Sequence, residues 1–148
     1  MSPVFFTLDF PDAEKVSRAV IIEAMPDMAQ VVYEETLSRV PVGATGRLKA
    51  RLGIRIRKGG TEGHIGVFGA RHAHLVMRGT PPHVIKARNA RALRFNSGGV
   101  FVMRGSVQHP GARKQPFLEE GMKASKEAMM AALRQHMEDY LRRAVGKP

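Results

Sequence analysis

A chain of 148 residues with 43% hydrophobic and 25% charged side chains holds enough apolar mass for an ordinary core, and one domain spanning 1–148 is expected. It has no cysteine, which excludes disulfides and thiolate metal sites. The net charge of +11 lies almost wholly in the middle: residues 41–117 carry fifteen bases and a single acid, Glu62, between near-balanced ends.

MSPVFFTLDF opens with a brief apolar run, but it lacks a basic leader and acids follow at once, so a secretory signal is not expected. No apolar stretch approaches the roughly 20 residues that a bilayer crossing needs. An intracellular protein with no membrane partner is the expectation.

From Asp12 to Arg39 the residues Val16, Val20, Ala24, Met28, Val31 and Val32 recur at steps of three and four, which predicts a helix over 12–39. Pro26 predicts a kink there or the start of a second helix. Thr45 is placed to cap a short turn. Leu52, Ile54 and Ile56 then alternate with Gly53, Arg55 and Arg57, the pattern of a half-buried antiparallel strand. Gly59-Gly60-Thr61 supplies its turn and His64–Phe68 the returning strand.

Residues 70–78 read as a short helix or an irregular connection, and Gly79-Thr80-Pro81-Pro82 as a loop. Residues 83–88 form a short strand candidate. Leu93–Phe95 and Val100–Met103 flank Asn96-Ser97-Gly98-Gly99, a hairpin signal. Pro110-Gly111 turns the chain, and Pro116 stands at the first position of a helix predicted over 116–144. There Leu118, Met122, Ser125, Met129, Leu133, His136 and Tyr140 form a stripe. The class is α+β: an N-terminal helix, an antiparallel sheet of about four or five strands within 50–104, and a long C-terminal helix packed on the sheet.

Chemistry is harder to find. His72 and His74 suit two ligands on a strand face, but carboxylates to complete a metal site are missing from the basic centre, and no metal or cofactor is expected. Magnesium-dependent nuclease chemistry needs clustered Asp and Glu. A small metal-independent ribonuclease would need a base and phosphate-binding cations, for which His83 or His109 with Arg78 and Arg113 are the candidates. Ser106 near His109 has neither a nucleophile elbow nor an orienting acid. No phosphate-binding loop is present. No catalytic residue is assigned, and the protein is not expected to be an enzyme. The basic centre points instead to DNA, RNA or an acidic protein partner, through Arg55, Arg57, Lys58, Lys86, Arg88 and Arg91, and a free-standing nucleic-acid-binding module is one reading of it. With aromatics at 6% and no tryptophan, base-stacking platforms are scarce.

Three stretches, ATGRLKARL, MRGTPPHVIKAR and GSVQHPGARKQPFLEEGM, resemble in order and spacing the tailed-phage head–tail joining proteins, the neck or tail-completion proteins related to the minor tail protein Z type. The likeness runs through Thr45, Gly46, Arg47 and Leu48, then Gly79, Thr80, Pro81, Pro82 and His83. It ends with His109, Pro110, Gly111, Gln115, Pro116 and Phe117. Where relatives carry an aromatic and an acid before the Gly-Thr, this chain has His72 to Arg78, which makes its basic face more pronounced.

The resemblance implies a non-enzymatic virion subunit, made in the host cytoplasm and located at the head–tail junction or upper tail. Its partners would be further copies in a six-fold or twelve-fold ring, neighbouring head-closure and tail-tube or tail-terminator proteins, and non-specifically the genomic DNA. Residues 69–83 and 104–115, with Arg78, Arg113 and Lys114, would be the loops that reach neighbours.

Overall fold

The computed structural model describes residues 4–8, 18–43 and 46–146. It is an α+β structure with an N-terminal helix, small antiparallel sheets and a long C-terminal helix. The described residues fall into two compact units: residues up to His74 together with those from Pro116, and an inserted unit, Leu75–Gln115.

In the first unit, strands β1 (Val4–Leu8), β2 (Leu52–Arg57) and β3 (Glu62–Val67) form an antiparallel sheet in the order β1-β3-β2. Pairing of Ile54 with Ile65 and of Phe6 with Ile65 puts the apolar residues of all three strands on one face. Across that face runs α1 (Arg18–Arg39). Gly63 makes the approach close, because a side chain there would meet Met25 Sδ at 2.9 Å. The other side of α1 is covered by α4 (Phe117–Val145), its main partner.

Pairs between Thr36 and Gly121, Asp27 and His136, and Glu23 and Arg143 show that the two helices run antiparallel. Gly121 is required for this packing, since a Cβ would land on Thr36 Oγ1. Buried on both flanks, α1 is apolar around most of its girth: Val20, Ile21, Ala24, Met25, Met28, Ala29 and Val32 join Leu8, Ile65 and Leu133 in one cluster.

Several expectations are refined here. Pro26 sits inside one continuous helix, neither dividing α1 nor starting a second helix. The 12–17 part of the expected helix lies outside the described residues, as does Thr45. The short helix α2 (Arg47–Ala50) follows Gly46, whose φ of 59° suits glycine. The opening apolar run is strand β1. α4 begins one residue after Pro116, and it packs chiefly on α1 rather than directly on the sheet. Phe117 and Leu118 are nevertheless buried, at 2% and 1% exposure.

The second unit explains why the strands form three small sheets instead of a single one. Here β4 (His83–Lys86) pairs with β7 (Ser106–His109), and β5 (Leu93–Ser97) with β6 (Val100–Arg104). The pairs are nested. Thr80 bridges Ala112, His83 faces His109, and Ala87 N–H donates to the Gly105 carbonyl. After the extra residues 88–92, pairing resumes from Leu93 with Arg104 to the two-residue turn Gly98-Gly99. Both turn glycines have positive φ, 62° and 88°, which matches the right-handed twist of a tight hairpin. Residues 80–112 therefore form a two-stranded β-arm with a bulge at Arg88–Ala92. The segments expected as long loops hold β7 and the short helix α3 (Ala73–Arg78).

Candidate functional site

The motifs on either side of the arm meet at its base. Thr80 and Ala112 exchange two backbone hydrogen bonds, each 3.0 Å, and Gln115 N–H donates to the Val76 carbonyl. Gly79 and Gly111 hold φ values of 72° and 89°, and neither position has room for a side chain. A Cβ on Gly111 would strike the Thr80 carbonyl, and one on Gly79 would stand 2.6 Å from the Ala112 carbonyl. The Gly-Thr-Pro-Pro-His and His-Pro-Gly segments, separated in sequence, are thus two halves of one junction.

His83 and His109 face each other at its centre, with ring centroids 5.1 Å apart. His83 Nδ1–H donates to the Pro81 carbonyl at 2.9 Å, while Gly111 N–H donates to His109 Nδ1 at 3.1 Å. These bonds fix both rings as parts of the turn. Among the described residues no group of three His, Cys, Asp or Glu is placed to hold a metal ion.

The remainder of the arm is almost all surface. No residue from Leu75 to Gln115 is buried, and the segment has eight bases and no acid. Arg78, Lys86, Arg88, Arg91, Arg113 and Lys114 are all exposed. The tip carries apolar side chains on both faces. Phe101 and Met103 share one face with Arg94, whose guanidinium lies 4.2 Å over the Phe101 ring; Val100 and Val102 share the other with Phe95. Val100, Phe101 and Met103 are 66%, 62% and 68% exposed.

In the first unit the sheet face opposite α1 carries Arg55, Arg57, Glu62 and His64, with Phe5 from β1 beside them. Glu62 sits on the central strand at 9% exposure. Lys58 Nζ lies 2.6 Å from one carboxylate oxygen and His64 Nε2 2.6 Å from the other, while Phe5 stacks on His64 at 4.4 Å. Lys58, a candidate contact for DNA or an acidic partner, is paired with Glu62, and its side chain remains largely exposed.

Hydrogen bonding from Lys58, and then from His64, holds the Glu62 carboxyl below its ordinary value of 4.5. A carboxyl depressed in the folded state contributes stability that is present above its unfolded pKa and lost as pH falls through the folded one. Wild-type protein should therefore lose stability below pH 4.5 more steeply than Glu62→Gln, which lacks this component. Urea unfolding midpoints measured from neutral pH down to about pH 3 would show it; parallel curves would remove Glu62 from the account.

Sequence reasoning did not find the pocket beside this sheet, a space of about 930 Å³ lined by Arg47, Arg51, Arg71, His72, Phe68 and the Gly69-Ala70 backbone. Its only legible signal was the four-residue spacing of Arg47 and Arg51. No family model, curated protein or solved structure matches the chain.

Proposed function

We propose that this protein is a structural subunit of a tailed-phage virion, of the neck or tail-completion type, which assembles with copies of itself into a ring at the head–tail junction. The observation that carries this reading is the β-arm. A two-stranded ribbon is marginal alone in water, and this one buries none of its own side chains while exposing Val100, Phe101 and Met103 at its tip. Such a segment gains stability when another surface covers it, as it would in an assembly. The resemblance of the flanking motifs supplies the kind of assembly. That those motifs interlock at the base of the arm supports a shared role in setting its geometry.

The test is twofold. Purified protein, or protein in infected cells, should form closed oligomers by mass measurement and electron microscopy, and labelled subunits should lie at the head–tail joint of virions. Loss of the gene should leave unjoined heads and tails. Normally joined, infectious particles from a deletion strain would refute the proposal.

A further inference from the structure

Arg47, Arg51 and Arg71 line the pocket in the first unit without a carboxylate partner among the described residues. The pocket is built by the backbone rather than by chance contact of long side chains. Phe68 N–H donates to the Arg51 carbonyl at 2.9 Å, tying the β3 exit to the start of β2. Gly69, with φ of 77°, leaves the space that the Arg51 guanidinium occupies, because a Cβ there would stand 2.7 Å from its Nη1. Arg47 and Arg51 are four apart across the α2 turn, and Arg71 and His72 complete the lining from the segment after β3.

Three guanidiniums on the lining of one pocket without a counter-charge favour the entry of an anion. Guanidinium forks match the paired oxygens of a phosphate. Phe68 already has one ring face covered, because Arg55 lies 3.9 Å over it. The same Phe68–Arg55 contact continues the positive surface from the pocket along β2, where Arg57 follows about 6.6 Å further at a strand's rise of ~3.3 Å per residue. Guanidiniums aligned in this way, with few aromatic rings beside them, fit a ligand held through its charged backbone more than through its bases.

We infer that the Arg47–Arg51–Arg71–His72 pocket is a binding site for the phosphodiester backbone of nucleic acid, independent of base sequence. This site lies in the first unit, outside the arm on which the proposed assembly rests.

Fluorescence anisotropy of the full chain with duplex DNA of mixed sequence, across a salt series, tests it. The expected result for Arg51→Gln/Arg71→Gln is a salt slope shallower by about two and binding about a hundredfold weaker at ~0.1 M salt, since each phosphate contact contributes close to one unit of slope. Arg47→Gln, on an exposed turn, should lower the slope by about one, which covers the case in which the double variant does not fold. Lys86→Gln/Arg88→Gln on the arm removes the same charge and should have the smaller effect. An unchanged slope in the pocket variants, or equal losses in the pocket and arm variants, would overturn the inference. Equal affinity for a glutamate-rich peptide, lost on the same substitutions, would also overturn it by assigning the pocket to carboxylates of a protein partner. Oligomer mass, read separately, distinguishes failure of this site from failure of assembly.

Discussion

Phe117→Ala should lower the stability of the helical unit by about 3–5 kcal/mol, the cost of emptying an aromatic site in a core. Phe117 is 2% exposed and is the first residue of α4. No side-chain hydrogen bond caps that helix start, and Pro116 before it has no amide proton to offer. Burial of Phe117 and Leu118 is therefore the main fastening of the first turn, helped by Glu119 and Glu120 at the positive end of the helix dipole. Thermal unfolding followed by helical circular dichroism should show a midpoint lower by roughly 10 °C or more. A change below about 1 kcal/mol would mean that the surrounding residues close over the vacated space, or that the helix is held elsewhere.

The second large effect concerns association and not folding. Phe101→Asp with Met103→Asp should leave the melting curve of the monomer within about 0.5 kcal/mol of wild type, because both side chains are already in water. Assembly should be abolished. The two residues lie on one face of the β5–β6 hairpin, on either side of the residue that pairs with Phe95. Placing two carboxylates there adds a desolvation cost to any apolar contact the face makes. The readout is oligomer mass by light scattering, with sedimentation as a check. Retention of the wild-type oligomer would show that the tip is not an interface, and attention would shift to the stem of the arm.

The helices were legible in the sequence because their apolar residues recur at the helical period, and the α4 boundaries differ from the reading by a single residue. Both tight hairpins were legible too, since glycine pairs mark the turns at Gly59-Gly60 and Gly98-Gly99. Pairing between distant strands was not. Nothing local in HVIK and SVQH says that they face each other with another hairpin between them, so the arm read as loops and sheet strands. β1 was hidden because Val4, Phe5 and Phe6 are apolar in succession and break the alternation of a half-buried strand.

The candidate site divides in the same way. The residues of the arm junction were named from the resemblance, but that the two histidines meet there is a fact of strand register. The pocket joins Arg47 and Arg51 of the α2 turn to Arg71 beyond β3, and no short motif could have linked the third arginine to the other two.

The insertion of the arm between α1 and α4 also has a kinetic consequence. Of the two surfaces that cover α1, the sheet is complete once β3 has been synthesised, but α4 follows only after the whole arm. Until then the flank of α1 that α4 covers stays bare, and the helix is a candidate for chaperone capture. The helix pair must also close a loop that contains every other element from β2 to β7, so its formation comes late and is slowed by that separation. The arm, with no core to assemble, can form its ribbon as soon as Ala112 has emerged, and its interlocked base brings the chain ends at Val76 and Gln115 together. In this way the segment that contributes nothing to the core shortens the search by which α4 finds α1.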